Sequence, residues 1–259
     1  MPERAIYIWK LKPVLDAEGG AAAMVQKARR AGISQLWVKI ADGRSPYANV
    51  RDGAGQQFRQ LIDLARDKDI AVWGWQVPHC ATEADVDAEV ATMRALAESF
   101  RLDGLIMDAE GGPEFFKGDL DCARRYGAGM RKVADDMKVP LALSSNDIPS
   151  NIEGWMPRFN AIAAHADHNF PQTYYGGSPS VVHRVDRAER DNAHLTIPFS
   201  PVGAAWIGDG GGCASASACA ERAERFIALA TERRYPIYGF WHWGGAPLAF
   251  WEVLNRVPA

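Results

Sequence analysis

Asp103-Gly104-Leu105-Ile106-Met107-Asp108-Ala109-Glu110-Gly111 joins a short apolar run to two carboxylates set two residues apart. Successive side chains on a strand point to opposite faces, so Asp108 and Glu110 share a face with Ile106. Leu105, Met107 and Ala109 take the other face, as suits a strand whose back packs against helices. A strand of this kind, apolar along its length and acidic where it finishes, belongs in a parallel sheet whose working groups gather at the C-terminal strand ends.

Seven further runs read the same way: Ala5-Leu11, Gln35-Ala41, Ile70-Val77, Val139-Ser145, Asp167-Tyr174, Leu195-Pro201 and Ile237-Trp243. With Leu102-Ala109 they make eight expected strands. Amphipathic helical segments lie between them, clearest at Gly55-Asp69, Glu83-Phe100 and Ala218-Arg233. Strict alternation of strand and helix favours a parallel sheet with crossover helices. Eight such units in 259 residues favour closure into a barrel, a fold that needs about 250 residues. The expected architecture is therefore α/β, a single (β/α)8 TIM barrel spanning residues 1–259, with no linker or low-complexity run to divide it.

Composition narrows the function classes. The chain is 47% hydrophobic, 24% charged and 10% aromatic, which suits a packed globular core. A formal net charge of -3 provides no basic field for nucleic acid. No stretch approaches the roughly 20 apolar residues of a membrane helix, and Met1 to Lys12 lacks a signal-peptide pattern, so synthesis in the cytoplasm is expected. Four cysteines are too few for a disulfide scaffold. Only Cys213 and Cys219, bracketing a small-residue loop, have the spacing for a local bridge, and the sequence leaves that pairing open. The loop from Gly203 to Ala214, with Gly208-Asp209-Gly210-Gly211-Gly212 at its centre, reads either as a surface loop or as a lid over the barrel mouth.

The strand ends are unusually polar and aromatic: Lys39 and Asp42, Gln76 and His79, Asp108 and Glu110, Ser144 to Asn146, Gln172 with Tyr174, Ser200, and Trp241 to Trp243. Two carboxylates confined together repel as anions, so one proton is held more tightly and a general acid becomes available near neutral pH. Glycoside hydrolysis needs such an acid. A solvated strand end, or an ion pair with Lys39, is the plainer alternative.

At these residues the sequence resembles the chitinase-like glycoside hydrolases of family 18, whose fourth strand reads DGxDxDxE. Ile106 stands where that family has its first interior aspartate. The resemblance implies that Glu110 protonates the glycosidic oxygen and that Asp108 orients a substrate 2-acetamido group serving as internal nucleophile. It further implies that Tyr174, in Gln172-Thr173-Tyr174-Tyr175, contacts the reacting sugar as a polar stabiliser. Tyr175 replaces the acidic residue often found next in that family. Trp243, in Gly239-Phe240-Trp241-His242-Trp243, is matched with the tryptophan that floors the central subsite, and Trp241, Gln172, Gln76, Asn146 and Lys39 complete the expected substrate contacts. More distantly the Asp-x-Glu is similar to that of family 25 lysozymes, which normally carry another acid on the first strand, where Ile6-Tyr7-Ile8-Trp9-Lys10 has none.

The resemblance thus implies a glycan partner, a chitin-like polymer or peptidoglycan, and no cofactor. The oligomeric state is not readable. Reaching a cell wall would require release by lysis or carriage in a particle. Two other classes compete. A metal-dependent hydrolase would use His79, Asp108, Glu110 and His242, or the His165-Ala166-Asp167-His168 cluster, but neither a His-x-His on the first strand nor HExxH is present. A catalytically inactive sugar-binding or structural barrel would keep the aromatic residues Trp241, Trp243 and Tyr174, with Trp206 and Tyr175 as extensions, and lose turnover.

Overall fold

The computed structural model describes residues 2–257. Eight parallel strands form its centre: β1 (Glu3–Ile8), β2 (Gln35–Asp42), β3 (Ala71–Val77), β4 (Gly104–Asp108), β5 (Leu141–Asn146), β6 (His168–Gln172), β7 (Val202–Ala204) and β8 (Ile237–Trp241). Their hydrogen-bonded order runs β6-β5-β4-β3-β2-β1-β8-β7. Helices α1 (Leu11–Glu18) and α2 (Ala21–Arg30) follow β1. One helix then follows each remaining strand: α3 (Asp52–Arg66), α4 (Glu83–Phe100), α5 (Leu120–Met137), α6 (Trp155–Ala163), α7 (Val181–Asn192), α8 (Ala216–Glu232) and α9 (Leu248–Arg256). This is the expected (β/α)8 barrel. Hydroxyl and carboxyl caps start several helices: Thr82, Asp119, Ser180 and Ser215 each accept from the backbone N–H three residues on.

The seventh strand departs from expectation. It is Val202–Ala204 rather than Leu195-Pro201, because Pro198 and Pro201 carry no N–H to donate to a ladder. The chain is shared between two neighbours instead. Pro198 accepts from Asn169 N at 3.0 Å and Ser200 N donates to Asn169 O at 2.8 Å, which closes the seam to β6. Pro201 accepts from Gly239 N at 3.0 Å, which joins the same segment to β8.

The barrel interior is aromatic. Tyr7, Trp37, Trp73, Trp75, Ile106 and Phe170 fill it, while Leu105, Met107 and Ala109 pack outward against helices, as the alternation on β4 requires. Two of these rings fit against adjacent strands only where a neighbour has no side chain. A Cβ added at Gly104 would lie 2.2 Å from Trp73, and one at Gly239 would lie 2.5 Å from Trp37. Gly104 is thus the glycine that lets β4 pass beneath an indole and carry its carboxylates to the top of the barrel.

At the opposite end the buried Arg4 guanidinium ties the strands to the C-terminal helix. It donates to Tyr238 Oη at 2.7 Å, to the Leu254 carbonyl at 3.2 Å and to the Val257 carbonyl at 3.1 Å.

Gly104→Ala should lower stability by about 2 kcal/mol through overpacking against Trp73. Gly53→Ala, on exposed α3 with open space around it, should be neutral or slightly stabilising. Equal urea midpoints for the two variants would contradict this account of the interior.

Candidate active site

β4 delivers Asp108 and Glu110 to the same side, and β5 and β6 supply the groups that hold them. Gln172 Nε2 donates to Asp108 Oδ1 and to Glu110 Oε1, both at 3.0 Å, so one amide bridges the two carboxyls. Ser144 Oγ donates to Asp108 Oδ1 at 2.7 Å. Asn146 reaches Glu110 Oε2 at 3.3 Å while its carbonyl oxygen accepts from Gly111 N at 2.8 Å, which orients its amide.

Burial sets the protonation of this pair. Asp108 is only 4% exposed, and loss of solvent pushes its carboxyl up to about 6 against the opposing pull of Ser144, Lys39 and Gln172. Glu110 rises further, to about 8, because the Asp108 charge adds to its own burial. At neutral pH the arrangement favours a protonated Glu110 beside an ionised Asp108, an acid next to a base.

The surroundings are ordered by neighbouring strand ends. Lys39 is buried and pairs with Asp42 at 2.7 Å, and Asp42 also meets His79 Nε2 at 2.8 Å. Lys39 and Asp42 are three residues apart and would lie on opposite faces of a regular strand. The register shift between Lys39 and Ala41 brings them together. Lys39 thereby faces Tyr47 and Trp75 with its ammonium 4.6 Å and 5.2 Å from their ring centres.

Two tyrosines border the pair. Tyr174 is buried enough, and near enough to the Asp108 and Glu110 charges, to keep its hydroxyl protonated well above the ordinary range. Its ring packs edge-on against Trp206 at 5.0 Å. Tyr7, which the sequence reading passed over, is held in the same way by burial and by Asp108 first. Its hydroxyl is buried without a hydrogen bond of ordinary geometry. The signal for Tyr7 was available: it lies two residues before Trp9 on an alternating strand, hence on the interior face.

Trp241 and Trp243 part company. Trp241 turns inward, its ring 5.3 Å from Tyr7, 5.6 Å from Trp75 and 6.5 Å from Trp9, the last near-parallel. Trp9 is 39% exposed and extends this aromatic line toward solvent. Trp243 packs instead on Trp251 at 4.6 Å and donates its indole N–H to Glu18 at 2.9 Å, so it stands apart from the carboxyls. The reason is local. Strand geometry ends at Trp241 and a 3-10 turn begins at Trp243, which breaks the alternation that would have aligned the two indoles.

Gln76 also lies elsewhere. It is fully buried on the outer face of β3, donating to Gly43 O at 2.8 Å and accepting from Tyr126 Oη at 3.0 Å. Tyr175 is buried against Phe226, and the Ser200 hydroxyl is buried without a hydrogen bond. Among the described residues no group of three His, Cys, Asp or Glu side chains is arranged to hold a metal ion, and no helix is long and apolar enough to cross a membrane.

The glycine-rich segment is folded down over Tyr174. Gly176 N donates to Gly211 O at 2.9 Å, and a Cβ at Gly176 would lie 1.8 Å from Gly212 O, so the two loops touch through glycine backbones. Cys213 and Cys219 form a disulfide that pins the loop's far end to α8.

No family model and no curated protein matches the chain. Solved structures do. A spore cortex-lytic enzyme of Bacillus cereus, SleL, superposes with a TM-score of 0.69 at 10% identity, over 100% of this chain and 75% of that one. A GH18 chitinase from Pseudoalteromonas aurantia gives 0.68 at 10% identity, over 96% and 97% of the two chains. A chitinase from Chromobacterium violaceum gives 0.66 at 10% identity, over 99% and 98%. At these identities the likeness is one of fold, and the chain is similar in architecture to all three.

Proposed function

We propose that this chain is a glycoside hydrolase that cleaves a polymer of 2-acetamido sugars, chitin-like or peptidoglycan, with retention of configuration and with the substrate's own acetamido group as nucleophile. One observation carries the reading: Asp108 and Glu110 lie together at the barrel mouth, joined through the Gln172 amide at 3.0 Å to each. The fold shared with chitinases and with a cortex-lytic enzyme supports it.

In this mechanism Glu110 donates its proton to the glycosidic oxygen as the bond to the anomeric carbon breaks. Asp108 accepts from the acetamido N–H and turns the acetamido oxygen toward that carbon, where a new C–O bond forms as the leaving sugar departs. Glu110, now ionised, takes a proton from water. The resulting hydroxide equivalent opens the cyclic intermediate and restores the acetamido group. Tyr174 holds the acetamido oxygen with its hydroxyl, in line with the anomeric carbon it attacks. Trp241 provides the apolar face for the reacting ring, with Trp9 beyond it for the next sugar. Lys39 and Asn146 hold the two carboxyls by charge and by hydrogen bond.

Ile106 bears on this mechanism. It is fully buried and leaves Asp108 without a carboxyl below it. Ser144 and Gln172 fill the hydrogen-bonding role at Asp108 instead. The same apolar substitution is the specific feature that favours a sugar-binding barrel without turnover. The Cys213–Cys219 bridge supports a working place in an oxidising compartment, reached by lysis or within a particle. Mass spectrometry finding free thiols in chain recovered from outside the producing cell would oppose that placement.

Release of reducing ends from chitin oligomers and from purified peptidoglycan decides between enzyme and binder. Glu110→Gln should lower turnover at least about a hundredfold with binding retained, and Tyr174→Phe should lower it by roughly tenfold or more. Folded native protein that binds either glycan but releases nothing would leave the binder.

The rate should follow a bell against pH. On the acid side it falls as Asp108 takes up a proton, near 6, and on the basic side it falls as Glu110 loses its own, near 8. A rate still rising at pH 9 would contradict Glu110 as the acid.

A further inference from the structure

A cleft of about 420 Å³ opens beside Tyr174. Its walls are the start of α7, with His183, Arg184 and Arg187, and the glycine-rich loop at Gly210 and Gly211. Charge in this cleft is unbalanced. Arg184 is committed to the buried Asp147, donating from Nη2 to Oδ1 at 2.6 Å, with Nε 2.5 Å from Oδ2. Arg187 is half-buried, acts on Asp147 only through its field, and makes no hydrogen bond or ion pair among the described residues. Two guanidinium groups therefore face one carboxylate, and the second is spare.

The cleft is built rather than incidental. Arg222 donates to Tyr175 O and, at 2.9 Å, to Ser178 O, fixing the segment that forms its floor. The contact of Gly176 with Gly211 and the Cys213–Cys219 bridge fix the opposite wall. Tyr174 lines the cleft and also borders the carboxyl pair, whose charges act on its hydroxyl together with that of Asp147.

From this geometry we infer that the cleft is a carboxylate-binding subsite centred on Arg187, which selects 2-acetamido glycans bearing acidic substituents over neutral ones. The inference rests on the glycan reading above and refines it toward peptidoglycan-type chains. A half-buried guanidinium with no protein carboxylate is stabilised by a planar anion that accepts two parallel hydrogen bonds. A neutral chitin chain offers none. The carboxylate has two sources on such a polymer, the lactyl group where no peptide is attached and the peptide itself where one is, since the linking amide uses up the lactyl carboxyl; both have the chemistry the cleft recognises.

Binding is measured by calorimetry on the Glu110→Gln background, so that turnover plays no part. The probes are chitin oligomers, muramic-acid-containing glycan strands stripped of peptide, and the same strands with peptides attached. Arg187→Gln should weaken binding of one or both acidic glycans about tenfold and leave chitin oligomers unchanged, while Arg187→Lys should recover part of the loss. Loss confined to the peptide-bearing strands would identify the peptide as the carboxylate source; loss confined to the peptide-free strands would identify the lactyl group; loss on both would show that the cleft accepts either carboxylate. Equal affinity of the Gln variant and its parent for all three probes, or no measurable binding of any, overturns the inference. Lost affinity for acidic strands with no turnover of any polymer by the native chain would uphold the subsite and sink the hydrolase reading.

Discussion

Two carboxyls buried within reach of one amide oppose folding when ionised, and the strand ends of β4, β5 and β6 are arranged around them. Burial raises both above their ordinary range, Glu110 most of all because Asp108 stands beside it. The sign of the effect on folding follows. A carboxyl whose folded value lies above its unfolded one favours the folded state while both remain protonated. That advantage is lost as pH rises through the gap between the two values. At neutral pH and above the pair therefore opposes folding, and the interior of Tyr7, Trp37, Trp73, Trp75 and Phe170 offsets it. Gly104 and Gly239 make room for those rings, so the apolar layer beneath the site depends on two positions without side chains.

Alternation on β4 was legible from residues 103–111 because nothing interrupts the strand before Asp108. Where a strand is interrupted, periodicity stopped carrying information. The bulge between Lys39 and Ala41 unites Lys39 with Asp42. The 3-10 turn at Trp243 sends that indole to Trp251 rather than to the mouth. Pro198 and Pro201 divided the seventh strand between its neighbours and moved its ladder to Val202–Ala204. Gln76 failed for a different reason. Its place on β3 is regular, but it alternates to the helix side, where Tyr126 accounts for its polarity. Gln172 appeared in the sequence as one polar strand end among many. Its role as the bridge between two carboxyls exists only once β4 and β6 are set on either side of β5.

The two flanks of the mouth differ in chemistry. On the β1 and β8 side, Trp241 and Trp9 present rings that suit the faces of sugars. On the β6 and β7 side, Tyr174 leads into a cleft where arginine outweighs carboxylate. A glycan lying across the pair would be read by stacking on one side and by charge on the other. The disulfide and the glycine contacts that hold the loop over Tyr174 belong to the second side, which ties loop structure to substrate choice rather than to proton transfer.

The most direct test is a carbon-detected NMR titration of the side-chain carboxyls in the native chain and in Asp108→Asn. The account predicts that Glu110 remains protonated at pH 7, titrates near 8, and moves downward when the Asp108 charge is removed. A Glu110 carboxyl that titrates with the surface glutamates below pH 5, unmoved by Asp108→Asn, would contradict it.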